Sequence, residues 1–303
     1  MMFKNLNPSG LSISGHQSEI IELALTYGFS GMDLSAADFA SRAKHKGMPY
    51  ARRLLDSAKI RLGNYPLGFN IDIAEDEFKK NLARLPEIAH AASEVGCTRC
   101  TVTLPPTSDS RPYHDNFEFH RGRLAEVCKT LQPFGVRLAV GFQAAESLRK
   151  NAQFEFIHDL DALLTLVNMV DAGNLGVLLD VWEVFVAGGS VETIRKVPAQ
   201  KLVSVQVAEL TADVAPTEVS DSARLLPVDA RGKIGLAAVM SAIQQIGFDG
   251  PVTPKVARGA FTTRKRDLVV KQAGEAMEQL WQAANLPAEP RRVAAAPARD
   301  FGP

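Results

Sequence analysis

Short apolar and β-branched runs alternate along the chain with longer segments whose apolar positions recur at helical spacing, the two periods of strands and amphipathic helices. Strand-like runs lie at Gly10 to Ile13, Gly31 to Leu34, Ile60 to Tyr65, Arg99 to Thr103, Arg137 to Gly141, Leu175 to Asp180, Leu202 to Ala208 and Pro251 to Val256. After the first, Ile20, Ile21, Ala24 and Leu25 predict a helix that stops at Gly28. Further helices are expected from Glu75 to Val95, Asn116 to Phe134 and Gly235 to Ile246, ending at Gly96, Gly135 and Gly247.

Alternating strands and helices mean parallel strands, and eight of them spaced about 34 residues apart suit one (β/α)8 TIM barrel better than two domains. A doubly wound sheet would carry a glycine fingerprint after its first strand, and Ser14-Gly15-His16-Gln17-Ser18-Glu19 is not one. The barrel is expected to occupy residues 1–285. Beyond it, Leu286-Pro287-Ala288-Glu289-Pro290 opens an Ala/Pro/Arg-rich stretch, read as a flexible tail over 286–303.

The 303 residues carry 34 Lys and Arg against 34 Asp and Glu, so the basic surplus that holds nucleic acid is missing. No apolar run approaches the ~20 residues of a membrane span, and no leader pattern opens the chain. The expectation is a soluble, cytoplasmic protein. Cys97 and Cys100 form a CxxC between a helix end and a strand, without the second ligand pair a zinc site needs. With Cys128, they read as packing thiols.

Barrel chemistry sits at the C-terminal ends of strands. Here those ends read Leu138-Ala139-Val140-Gly141, Leu178-Leu179-Asp180-Val181-Trp182-Glu183, Val205-Gln206-Val207-Ala208-Glu209 and Thr253-Pro254-Lys255-Val256, with Arg224-Leu225-Leu226-Pro227 between the last two. In this order, with Asn174-Leu175-Gly176 leading into Asp180, the segments resemble the xylose isomerase-like TIM-barrel superfamily of sugar phosphate isomerases and epimerases, which includes inosose dehydratases and endonuclease IV. The resemblance covers residues 8–284.

It implies a divalent metal, often manganese, held by Glu, Asp, His and Glu near a sugar whose proton moves between adjacent carbons. At the matching positions this chain has Gly141, Asp180, Gln206 and Lys255, so only the Asp remains. A family site of three carboxylates and one M²⁺ sums near −1. Asp180 with a protonated Lys255 sums to zero without an ion. Lys255 is therefore expected in or near the metal's volume, paired with Asp180 and with Gln206 beside them.

What the resemblance implies is a barrel that acts on or binds a sugar, sugar phosphate or polyol through a degenerate metal site. Three forms stay open. One is a metal-independent lyase or isomerase with Lys255 and Asp180 as catalytic residues. A second keeps a weak Mn, Mg or Zn site on Asp180, Glu183 and Glu209, seen as rim carboxylates. The third has no cofactor and serves as a catalytically inactive sugar-binding protein or partner subunit of an active homologue. Substrate contacts are expected from Arg224, Gln206, Glu183, Glu209 and Trp182, from His114 in the loop Pro105 to Asn116, and from His16, which also suits a helix cap. His45, His90, His120 and His158 read as helix-surface or packing residues. Endonuclease chemistry is set aside for want of metal ligands and basic surplus, and a homo-oligomer is compatible with the family.

Overall fold

The computed structural model describes residues 1–289 except 213, 215–217, 258, 262 and 263. Nine parallel strands make one sheet: β1 (Phe3–Leu6), β2 (Gly31–Met32), β3 (Arg61–Leu62), β4 (Tyr65–Pro66), β5 (Arg99–Thr103), β6 (Arg137–Gly141), β7 (Leu175–Asp180), β8 (Leu202–Val207) and β9 (Pro251–Pro254). Their order is β3-β2-β1-β9-β8-β7-β6-β5-β4. Because β3 and β4 are successive halves of one segment, the order closes on itself into an eight-stranded α/β barrel.

Two differences from the expected strands have local causes. The first strand is Phe3–Leu6, which pairs with Pro251–Val252 on one side and Gly31–Met32 on the other. Gly10 to Ile13 is no strand: Ser9–Leu11 is a 3₁₀ turn, and Ser12 follows in the left-handed region at φ 55°. The Ile60 to Tyr65 run is a strand broken at Gly63 and Asn64. The Asn5 side chain occupies the space where a Cβ on residue 63 would stand, and Asn64 turns its amide to Asp33.

The helices bury one face each on the sheet. Helix Gln17–Thr26 covers Ile20, Ile21, Ala24 and Leu25, and Leu236–Ile246 covers Val239, Met240 and Ile243 before Gly247 ends it in the left-handed region at φ 88°. The helix expected from Asn116 starts earlier, at Tyr113, since Pro112 fits the preceding cap and Asp115 favours the first turn. Asn174 locks the entry to β7 by donating to the carbonyls of Cys128 and Val136 at 2.9 and 3.0 Å. The three thiols are free and buried.

Among the described residues no helix is long and apolar enough to cross a membrane. Residues 286–289, read as the start of a tail, are held against the barrel. Leu286 is buried and the Glu289 carboxylate accepts the Lys4 N–H at 2.8 Å and the Ser30 hydroxyl. Residues 290–303, the rest of that expected tail, lie outside the described residues.

Candidate functional site

β7 ends in Asp180, which also caps the short helix Val181–Val186, so Glu183 falls in that helix's first turn. β9 stops at Pro254 and leaves Lys255 just past its end. Arg224 comes from a fold-back: Arg224–Leu225 pairs antiparallel with Glu209–Leu210 and carries the guanidinium over the barrel mouth. The four charges then meet. Lys255 Nζ donates to Asp180 Oδ2 at 2.9 Å, Arg224 donates to Asp180 Oδ1 at 3.0 Å and to Glu183 Oε1 at 2.5 Å, and the Ala144 N–H reaches Glu183 Oε2 at 2.8 Å. Every carboxylate oxygen of the centre accepts a protein hydrogen bond.

Burial alone would raise the Asp180 carboxyl, but the Arg224 and Lys255 charges outweigh it and hold it well below the usual range. Glu183 goes the other way: burial, then the neighbouring Asp180 charge, push it up to about 7 against the pull of Arg224. With all four ionised the cluster sums to zero. The side chain of Lys255 is 31% exposed and that of Arg224 only 1%, so Lys255 is the residue of the centre that solvent reaches.

The expected pair of Asp180 and Lys255 is therefore present, while the neighbours differ from their expected settings. Gln206 sits in register beside Asp180 and Thr253, but its side chain makes no hydrogen bond to the pair. Arg224 is interior, neither a surface Arg nor one open to solvent, because the two carboxylates and the Trp182 ring, 4.0 Å from its Cζ, enclose it. Trp182 is buried with its face under that guanidinium, so no sugar can lie on it.

Glu183 and Glu209 are not rim carboxylates; both are buried. Glu209 accepts the N–H groups of Ile234 and Leu236 at 2.9 and 3.3 Å, which ties it to the start of the next helix rather than to Asp180. His114 belongs to the exposed first turn of helix Tyr113–Leu131, not to a loop. His16 caps helix Gln17–Thr26, its N–H donating to Glu19 at 3.1 Å, and borders the cleft described below. His45 and His90 are exposed, His158 is half-buried, and His120 is buried and stacked on Phe156 at 4.8 Å.

A divalent ion needs several oxygens free to turn toward it. The residues here do not fit one: the oxygens of Asp180 and Glu183 already face cations or an N–H, and Glu209 faces away. Among the described residues no group of three or more His, Cys, Asp or Glu could hold a metal ion.

A second polar centre escaped the sequence reading. Asp33, just past β2, takes three bonds on Oδ1, from Asn5 Nδ2 at 2.7 Å, the Asn64 N–H at 2.8 Å and Asn64 Nδ2 at 3.0 Å. Asn5 also donates to Thr253 on β9 at 2.9 Å. Burial raises the Asp33 carboxyl to about 6, against these three donors. It lines a cleft of about 590 Å³ between the loop after β1 and helix Ala36–Lys46. Its signal was available: a lone carboxylate between Met32 and Leu34 in a run read as a strand must face the barrel's interior.

Part of the chain aligns with the inosose isomerase of Bacillus velezensis at 26% identity over 155 residues, 51% of this chain and 52% of that protein. The alignment with the inosose isomerase of Bacillus subtilis is similar, at 27% over 138 residues and 46% of each protein. The chain thus spans about half the length of these curated relatives. The structure superposes on a xylose isomerase domain protein from Alicyclobacillus acidocaldarius with a TM-score of 0.84 at 24% identity, covering 94% of this chain and all of that one. On the IolI protein with a bound zinc atom the TM-score is 0.72 at 16% identity, covering 94% and 98%. Residues 21–280 match the xylose isomerase-like TIM barrel family, and with strands, order and closure in agreement the chain belongs to that family.

Proposed function

We propose that this barrel binds a small polyhydroxylated compound, a sugar, sugar phosphate or polyol, at its C-terminal mouth, and that its centre uses side-chain cations where relatives use a divalent ion. One observation carries the reading: both oxygens of Asp180 are held by cations, Lys255 on one and Arg224 on the other. Two relatives named inosose isomerase, and a solved structure of a D-tagatose 3-epimerase-like protein, support the ligand class.

In this reading Lys255 meets the ligand. Its ammonium is anchored by Asp180 on a side chain that is partly exposed, and its remaining N–H groups can donate to a hydroxyl or carbonyl oxygen and stabilise negative charge developing there. Asp180 acts as its counter-ion. Arg224, shut off from solvent, is a positioning residue that fixes Asp180 and Glu183. A second reading, a barrel that binds without turnover or partners an active homologue, draws on the same saturation: no carboxylate oxygen of the centre lacks a protein partner, which leaves no ready base there.

Elemental analysis of the purified protein together with calorimetry against myo-inositol, inosose and pentose phosphates tests the proposal. The expected result is less than a tenth of an equivalent of Mn, Zn, Mg or Co per chain, with at least one of these compounds bound in the presence of chelator. One tightly held ion per chain, or no binding to any of them, overturns it.

A further inference from the structure

Inside the barrel, Ala139 of β6 packs with Leu178 and Val203 in a small apolar cluster set apart from the main core. Two residues earlier on the same face stands Arg137, which opens β6. Its register partner is Arg99, which opens β5. Arg61 opens β3 and lies in register with Gly31, where a Cβ would come within 2.3 Å of the Phe3 ring. The ring fills that space, and the Arg61 Cζ lies 3.7 Å from its centre. Because β4 continues β3, the three arginines start successive walls of the barrel at its N-terminal end, the face opposite the Asp180 centre. Barrel interiors are ordinarily layered with branched apolar side chains. Here the first layer is cationic.

All three arginines are half-buried. Arg99 reaches across the opening to donate to the Asp249 carbonyl at 3.2 Å, just ahead of β9 and four strands away around the sheet. Arg137 donates to the Gln200 carbonyl ahead of β8. Each of these two contacts leaves most of the five N–H donors of its guanidinium without a protein acceptor. Among the described residues neither Arg99 nor Arg137 pairs with a carboxylate. Asp249, whose charge does bear on Arg99, is exposed and paired with the Met1 ammonium. Burial lowers the pKa of both guanidinium groups, and at Arg99 the charges of Arg137 and Arg61 pull the same way.

A surplus of positive charge held half out of water is offset best by an anion from solution. The chain as a whole has no basic surplus, so the field is local and suits a small anion rather than a polyanion. Adjacent guanidinium forks match the oxygens of a tetrahedral oxyanion, and a phosphate group carries about −1.5 to −2 at neutral pH, enough to answer more than one of them. We propose that the N-terminal opening of the barrel is a phosphate site, held by Arg99 and Arg137 with Arg61 adding its charge beside them. It is independent of the proposed function at the opposite face. The Phe3 N–H donates to the Gly250 carbonyl at 3.0 Å, next to the carbonyl that Arg99 grips, so an occupied site also braces the seam between β1 and β9.

Calorimetry of the full chain with inorganic phosphate, in chloride buffer of constant ionic strength near neutral pH, tests the proposal together with thermal melts. The expected result is one phosphate per chain and a melting temperature that rises with phosphate but not with chloride. Arg137→Gln should weaken binding at least tenfold by removing a cation. Arg99→Lys keeps the charge and loses the fork, and it should weaken binding by a similar factor. Lys255→Met, at the other face, should leave phosphate affinity unchanged. Titration with glycerol 3-phosphate separates the two sources: affinity equal to that of inorganic phosphate makes the ligand a phosphate ester, tenfold weaker affinity makes it the free ion, and either supports the site. No binding, a rise in melting temperature matched by chloride, or affinity unchanged in both arginine variants overturns it. Binding lost only in Lys255→Met moves the phosphate to the mouth, which overturns this site and leaves the proposed function standing.

Discussion

The carboxyl of Asp33 is raised to about 6 by burial although three donors favour its anion, so desolvation outweighs hydrogen bonding at this residue. An ordinary Asp titrates at 3.8. Folding therefore tightens proton binding: the native state is favoured by this group below pH 3.8, and that stabilisation is lost as pH rises through about 6. Asp33→Asn keeps Oδ1 for its three donors and removes the charge. At pH 8 the variant should be more stable than the parent by about 1–3 kcal/mol, the range allowing for screening by cleft water. At pH 5 the gain should fall by about half, because the unfolded parent is still ionised while native Asp33 is mostly protonated. Urea unfolding at the two pH values measures it, and an equal difference at both would refute the assignment. The central charges behave otherwise: Asp180 is held as an anion by Arg224 and Lys255, so its contribution weakens only as pH falls toward the acid range.

At the scale of elements, the fold-back after β8 decides what the centre becomes. Glu209–Leu210 pairs with Arg224–Leu225, and Glu209 then clamps the N–H groups of Ile234 and Leu236 at the start of helix Leu236–Ile246. Glu209→Ala strands two buried donors and should lower stability by about 2–4 kcal/mol, while Glu209→Gln, which keeps one acceptor, should recover part of it. Loss of stability without loss of ligand binding at low temperature separates this clamp from a ligand contact; unchanged unfolding midpoints would show the clamp to be idle. Such an element explains what a linear reading misses. β5, β6 and β7 were legible to the residue for local reasons: β6 and β7 are largely apolar runs of five and six residues buried on both faces but for Arg137, and β5 is a β-branched run, Thr101-Val102-Thr103, directly after a helix that stops at Gly96. β1 was not, since Lys4 and Asn5 find their partners Glu278 and Asp33 far along the chain, and the local pattern of Phe3–Leu6 gives no sign of them. Asp180 and Lys255 could be brought together from their strand-end positions together with the metal positions that the family resemblance implies. Arg224's burial, the covered face of Trp182 and the diversion of Glu209 all depend on the fold-back, whose antiparallel pairs are only two residues long.

The whole molecule is closed by contacts between its two ends. β1 pairs with its near neighbour β2 on one side, but on the other it must meet β9 across about 245 residues of intervening chain, so this seam carries the larger loop-closure cost and its closure is expected late in folding. Three interactions then hold its outer side: the Lys4 ammonium on Glu278 of helix Arg266–Ala283, the same ammonium 5.9 Å from the centre of the Trp281 ring, and the Lys4 N–H on Glu289. Glu289 also takes the hydroxyl of Ser30 at the head of β2, so one carboxylate bridges two neighbouring strands from beyond the last helix. Glu289→Ala leaves the buried Lys4 N–H without its acceptor, a loss of about 1–3 kcal/mol, and in a chain of this size that lowers Tm by several degrees. Because closure of β1 is expected late in folding, most of the loss should appear as faster unfolding, with the refolding rate nearly unchanged. Stopped-flow measurements on the parent and the variant decide it: slower refolding at an unchanged unfolding rate would mean that the ends meet early, and that closure nucleates the barrel instead of completing it.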